Sequence, residues 1–467
     1  MSQTQPEKPS PEKSPSVSRR DFIASTASAG GLALAAPSII KAQSSSDEIN
    51  VGLIGFGQQG QVQVEASIDI PNVKFRAICD IWPYAEKKGV GTLLRYGHDL
   101  REHRYQDYRE MLEKEKSLDA VLIATPDFMH APMTVAALEA GKHVYCEKLM
   151  SNTVEGARSM VDASQKSGNL LQIGHQRRSN PRYLHAKDKL VNGKEQGGAG
   201  LFGRITHANG QWNRAVSKAR TIRDRYNLDE ATLKKYGFES MHQFLNWRWF
   251  KKLGGGPVSD LGAHQIDIFN WFLAAKPTAV QASGGVDYYD SYEWYDNVMC
   301  LYEYETSAGK TARAFYQVLT TTSAGGGFFE YFMGDEGCMK ISEIPRLTKI
   351  YREAHAPEWD QWIEREILKQ NAAAPKAASE EVKVDVRESP PLAEYLLPIE
   401  LKKKIHQPHL ENFFEAVRMH SGDKAKAKAH LNCPGETGFE TAVTVLRVNE
   451  AVEARKALTF EKSEFKA

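Results

Sequence analysis

The sequence predicts an α/β chain of 467 residues that opens, after its N-terminal segment, with a doubly wound parallel sheet. Three observations carry that prediction. An aliphatic run feeds directly into Gly55-x-Gly57-x-x-Gly60, a second run ends in an acid at Asp80, and a strand-turn-helix-strand unit follows over 120–146. Parallel strands buried on both faces read as continuous apolar runs and need a crossover helix between them. One core is too few for this length, so two domains are expected.

The first strand is expected at Ile49, Val51, Leu53 and Ile54, then a helix through residue 68, then a second strand from Val73 to Ile78. In that context the three glycines have separate roles. Gly55 makes the tight turn, Gly57 admits a pyrophosphate, and Gly60 lets helix and strand pack closely. Phe56, Gln58 and Gln59 complete the loop, and the helix N-terminus faces the phosphates. Asp80 stands twenty residues past Gly60. It would accept from the adenosine ribose hydroxyls and repel a 2′-phosphate, so NAD is the expected cofactor and NADP the alternative.

The next unit, ATPDFMHAPMTVAALEAGKHVYCEKLM, predicts a strand from Ala120 to Ala124, a Thr-Pro-Asp turn, a helix carrying Val135 and Leu138, and a strand from His143 to Cys146. Open sheets of this kind bind ligands at the carboxyl ends of their strands. Thr125, Pro126, His130, Glu147 and Lys148 are therefore expected along the path of a nicotinamide.

Further on, GGGPVSDLGAHQID sets Asp260 and His264 four residues apart at the mouth of an apolar helix. That spacing also suits a local ion pair, and Asp267 continues the stripe as a packing seam would. Arg177 and Arg178 are read as contacts to sugar hydroxyls or braces of the domain junction, and Trp247 and Trp249 as stacking platforms or core. No H-x-x-x-H, carboxylate cluster or Cys/His array suggests a catalytic metal. The five cysteines are odd in number and scattered, so they are expected as core thiols. With 60 basic against 59 acidic residues, no nucleic-acid partner is expected.

Within 351–405, EWDQWIEREILKQ is expected as a helix, NAAAPKAASEE as a flexible connector and ESPPLAEYLLPIELKKK as partly ordered. The spacing of Leu410, Phe413, Phe414 and Val417 predicts a helix, and TGFETAVTVLRVNEAVEA another. At the other end, Arg19 and Arg20 precede Phe22 and a short Ala/Gly-rich run. That order resembles a twin-arginine export signal, read by a translocase of folded proteins. The expectation is a signal and linker over 1–47, with no membrane partner once the signal is removed, and a periplasmic or extracellular mature protein.

ATPDFMHAPMTVAALEAGKHVYCEK, IGHQRRSNPRY, GGGPVSDLGAHQID and GDEGCMKIS together resemble, in order, the motifs of the Gfo/Idh/MocA family. The resemblance implies a Rossmann NAD(P)-binding domain over 48–172, and a C-terminal α/β domain over 173–467 with a large, open, mostly antiparallel sheet. The far face of that sheet often mediates oligomers in the family, so a homo-oligomer is implied. The family's Glu-Lys-Pro lysine falls on Lys148, with Leu149 in the proline's place, and its D-x-x-x-H pair falls on Asp260 and His264. Hydride transfer from a secondary alcohol needs a base for the hydroxyl proton and a cation for the developing alkoxide. His264 would be the base, Lys148 the cation, and Asp260 would contact a neighbouring hydroxyl. The implied activity is an exported NAD(P)-dependent oxidoreductase of a sugar, polyol or glycoside, with tightly bound and recycled cofactor. The alternative is a glycosidase or lyase that uses NAD transiently.

Overall fold

The computed structural model describes residues 47–192, 200–307, 309–325, 327–374 and 391–467. The twin-arginine segment and most of the connector after Asn371 lie outside them. Strands β1 (Ile49–Ile54), β2 (Val73–Cys79), β3 (Arg104–Tyr105), β4 (Ala120–Ile123), β5 (His143–Cys146) and β6 (Leu171–Ile173) form a parallel sheet in the order β3-β2-β1-β4-β5-β6. Helices α1 (Gln58–Ser67), α2 (Pro83–Arg95), α3 (Tyr108–Lys114), α4 (Asp127–Glu139) and α5 (Val154–Ser167) make the crossovers. Order reverses between β1 and β4, which opens a crevice at their carboxyl ends.

After a short helix α6 (Pro181–His185), β7 (Ile205–Asn213) starts a second sheet, and helices α7 (Glu230–Lys235), α8 (Met241–Leu245) and α9 (Ala263–Leu273) follow. Strands β8 (Pro277–Gly285), β9 (Asn297–Glu305), β10 (Thr311–Leu319), β11 (Phe328–Gly334) and β12 (Gly337–Ile341) build its centre. Each ladder between these strands is antiparallel except that of β7 with β10. Alternation explains the sheet's two faces. Along β9, Val298, Cys300, Tyr302 and Tyr304 are buried while Met299 and Leu301 are exposed. Ile266, Phe269 and Phe272 of α9 pack in the same core as Tyr302 and Tyr304.

The segment expected as one helix over 358–370 does something else. Only α10 (Asp360–Glu364) is helical, and Lys369–Gln370 forms strand β14. Trp359 and Trp362 are buried one helical turn apart, but Glu366 turns the chain with φ 55° and ends the helix before the buried Ile367 and Leu368. With β13 (Lys349–Arg352) and β15 (Ala393–Leu396), β14 extends the second sheet beyond β12. The insertion therefore lengthens a sheet edge.

The final helices are α11 (Gln407–His420), α12 (Lys424–His430) and α13 (Gly435–Ala454), with β16 (Leu458–Thr459) at the sheet's other edge. A boundary at 172 falls inside β6, and the second domain does not keep all that follows it. Leu410, Phe413 and Phe414 are fully buried in one core with Val51, Leu53 and Tyr145 of the first sheet. The doubly wound sheet needs helices on both faces, and α11 supplies part of one. All five cysteines are buried and unpaired, as their spacing suggests. No described helix is long and apolar enough to cross a membrane.

Candidate active site

The crevice at the reversal point is a cleft of about 620 Å³. Its first wall is the glycine loop. Gly55 has φ 93°, open to glycine at little cost, and a Cβ on Gly60 would sit 2.0 Å from the Gly55 carbonyl oxygen. Gly60 is thus a packing residue behind the cleft, whereas Gly57 faces open space where a phosphate could approach. Gly55, Phe56, Gly57, Gln58 and Gln59 line the cleft, as do Asp80, Thr125, Pro126, Glu147 and Lys148. A loop open at Gly57, before a helix N-terminus and beside an acid at the end of β2, fits a dinucleotide.

The second wall comes from the other domain. The chain enters α9 through a wider π turn, Val258–Gly262, and both Asp260 and His264 face the cleft. They do not pair with each other. The Asp260 carboxylate lies 3.5 Å from the Lys148 ammonium and accepts from Arg248 Nε at 3.0 Å, while Lys148 also donates to the Asp260 carbonyl. Burial alone would raise the Asp260 carboxyl, but Arg248 and Lys148 hold it well below the usual range. It is a fixed anion. Burial, and then the charges of Lys148 and Arg177, push the His264 imidazole well below its ordinary value. Its ring lies 5.5 Å from that of Trp212, and Nδ1 has no hydrogen-bond partner among the described residues. His264 is therefore neutral at neutral pH.

Of the expected contacts, His130, Arg177 and Arg178 do not line the cleft, and Glu147 lines it with its carboxylate already engaged. His130 is buried behind the cleft wall, with Nδ1 2.7 Å from the Leu149 carbonyl and Nε2 2.9 Å from that of Thr125. Two acceptors require two N–H donors, so the ring works as a clamp on the Thr125 turn rather than a cofactor contact. It clamps the backbone just after Lys148, where the Lys148–Leu149 peptide is cis. Glu147 reaches the cleft, but its carboxylate accepts from Gln59 at 2.9 Å and Gln63 at 3.1 Å, pinning α1 to the end of β5. Arg177, 1 % exposed, pairs with Glu330 and Glu343, and Arg178 grips Asp267 with two nitrogens at 2.9 Å. Neither arginine lines a cavity among those described; they lock the segment after β6 between sheet and α9. Both guanidinia are engaged by internal carboxylates, which favours the brace over the sugar contact. Trp247 lines the main cleft, and Trp249 a smaller adjoining cavity, its ring stacked 4.7 Å from Tyr292.

Comparison with known proteins agrees with this architecture. Residues 49–175 match the oxidoreductase family GFO_IDH_MocA, NAD-binding Rossmann fold, and residues 194–337 match the GFO/IDH/MocA C-terminal domain. The chain belongs to the Gfo/Idh/MocA family. Over 147 residues it is 33 % identical to the uncharacterized oxidoreductase YrbE of Bacillus subtilis, 32 % of this chain and 41 % of that protein. Over 243 residues it is 26 % identical to an alpha-N-acetylgalactosaminidase of Shewanella oneidensis, 50 % of this chain and 48 % of that one. The chain thus spans about half or less of these relatives. The WlbA dehydrogenase of Chromobacterium violaceum, solved with NADH and UDP-GlcNAcA, superposes with TM-score 0.62 at 18 % identity, covering 89 % of this chain and 97 % of that one.

Several cleft residues of this Gfo/Idh/MocA chain carry no sequence signal. Arg248 answers Asp260, Trp212 packs on His264, and Ile405 and His406 arrive from the end of the insertion. They come from strand ends and loops with no fixed spacing, so only the fold assembles them.

Asp80 offers a test of cofactor binding. Its carboxylate accepts from the backbone N–H of Phe56 at 2.7 Å and of Trp82 at 2.8 Å, bracing the glycine loop. A carboxylate has lone pairs left for ribose hydroxyls. Burial pushes its pKa up to about 6, even against those two amides. NAD that prefers the ionised form should bind with constant affinity above pH 6 and lose up to about tenfold per unit below it. Calorimetric titration from pH 7 to 5 would show this, and Asp80→Asn should bind more weakly with the slope removed. A wild-type affinity constant across that range would dismiss the role.

Proposed function

We propose that the protein is an NAD-dependent oxidoreductase that oxidises a secondary alcohol of a sugar, polyol or glycoside and recycles a resident cofactor. One observation carries this reading: Lys148, Asp260 and His264, from two domains, converge in the cleft onto which the glycine loop opens. The bound nicotinamide supplies the acceptor for the hydride leaving the carbinol carbon. His264, neutral and unpartnered at Nδ1 among the described residues, takes the hydroxyl proton, and the carbonyl group forms. Lys148 holds the oxygen as charge grows on it, and Asp260 keeps the ammonium in place at 3.5 Å.

A resident cofactor is supported by the segment around α7 and α8, which packs back on the first domain's loops. Trp82 Nε1 donates to the Tyr226 carbonyl at 2.6 Å, the Tyr84 and Tyr226 rings lie 4.4 Å apart, and Tyr236 donates to the Gln106 carbonyl at 3.0 Å. This strap covers the Asp80 end of the cleft. The twin arginines support work outside the cytoplasm, where retained cofactor would matter. Met299, Leu301 and Phe315, exposed on the open sheet face, support a homo-oligomer.

A redox-neutral glycosidase is the second reading, favoured by the similarity to the Shewanella enzyme. Purified protein mixed with candidate sugars and aryl glycosides separates the two. Stoichiometric gain of reduced-nicotinamide absorbance, discharged by a second carbonyl substrate, is expected. Steady aglycone release without net reduction would favour the glycosidase, and no bindable nicotinamide would dismiss both.

A further inference from the structure

Beside the main cleft lies a second cavity of about 360 Å³. The two share Arg214, Arg220, Arg248 and Asp260 as a common wall, which sets the smaller space next to the site around His264. Its charge is lopsided: Arg214, Lys218, Arg220 and Arg248 line it against Asp260 as the one acid among its described residues. Asp260 is already committed to Arg248 and Lys148. Arg220 turns to the side chain of Gln58 at the start of α1, the phosphate end of the cofactor groove. Arg214 and Lys218 have no ion-pair partner among the described residues, while burial and the neighbouring Arg248 lower the Arg220 guanidinium against the opposing charge of Asp260. Arg214, Lys218 and Arg220 are exposed, so an anion entering the cavity would exchange their hydration for charge-assisted hydrogen bonds.

The cavity's frame is built and not loose. Ser217 N donates to the Tyr289 hydroxyl at 3.0 Å, that hydroxyl donates to the Thr320 carbonyl at 3.1 Å, and Asn246 holds the Arg220 backbone from both sides at 2.8 and 3.1 Å. Trp249 and Tyr292, stacked within 8° of parallel, give an aromatic wall of the kind a pyranose packs against.

We propose that the substrate is an anionic sugar, whose carboxylate, sulfate or phosphate is held by Arg214 and Lys218 while its ring rests against Trp249 and its reacting hydroxyl meets His264. This rests on the oxidoreductase reading for the reacting end only; the anion subsite stands on its own residues.

The test compares matched pyranosides on the NAD-loaded protein: a neutral glucoside, the glucuronide, and the 6-sulfate and 6-phosphate. Both reduced-nicotinamide absorbance and direct binding by calorimetry are read. At least one anionic member should exceed the neutral one by about 10- to 100-fold in affinity or in kcat/KM, the worth of a hydrogen bond to a charged group. The three anionic arms tell the carboxylate from the esters. Arg214→Glu should bring the anionic-to-neutral ratio down to about one, and added salt should weaken the anionic ligand selectively. Tight anionic binding without nicotinamide reduction would keep the subsite and dismiss the redox reading. Neutral sugars bound or oxidised as well as anionic ones, or no binding of either, would overturn the subsite.

Discussion

Replacing His264 with alanine is expected to lower kcat by about 10²- to 10⁴-fold, the usual worth of a positioned general base, while NAD still binds. The side chain faces the cleft from the second domain, whereas the glycine loop, Asp80 and the strap belong to the cofactor's own groove. Loss of turnover should therefore not follow from loss of cofactor. The wild-type pH profile gives a second reading of the same group. Burial and the Lys148 charge lower the imidazole, so its neutral form persists to more acid pH, and the acid limb of kcat/KM should lie below the ordinary histidine range of ~6.5. That limb should vanish in the alanine variant, and residual activity should be recovered in part by added imidazole. Full turnover by His264→Ala would remove the base from the scheme.

Arg177→Met is expected to destabilise the fold by about 3–5 kcal/mol, the cost of stranding a buried charge. Its guanidinium satisfies Glu330 and Glu343, and Glu330 also accepts from Tyr183 at 2.7 Å. Removing the cation leaves two acids facing each other in the interior between α6, β11 and the strand-end of β12. Thermal unfolding with NAD held constant would register the loss. A variant of unchanged stability but raised KM would instead return Arg177 to the sugar-contact role that its neighbourhood in the sequence suggests. Glu330→Gln, which keeps the shape and one acceptor, should restore part of the stability in the double variant.

The first domain was legible because its physics is local. Aliphatic runs buried on both faces, glycines at fixed offsets and short loops bound each strand to within a residue or two, from Ile49–Ile54 to His143–Cys146. The second domain's Asp260 and His264 were visible as a pair, but not that they turn to different partners. His130 looked like a ligand because it follows a strand end; its burial depends on the loop after β5, which no spacing encodes. Arg177 and Arg178 were ambiguous for the same reason, since their acids lie about 150 and 89 positions away. The insertion misled most. Its buried tryptophans carry a helical rhythm for about one turn, and the chain then enters a sheet edge at Lys369–Gln370 that only β13 and β15 define.

Helix α11 has a consequence for how the molecule is made. Gln172 of β6 donates to the His409 carbonyl 237 positions later, and the ring of Tyr145 meets that of Phe413 at 5.8 Å. One face of the cofactor sheet stays only partly covered until α11, which follows nearly all of the second domain, packs on it. Contacts of such long sequence separation form late and leave apolar surface open in the interval. The sheet that bears the glycine loop is thus completed by a helix more than 230 positions further along the chain, so the cofactor groove rests on the fold as a whole and not on its own domain alone.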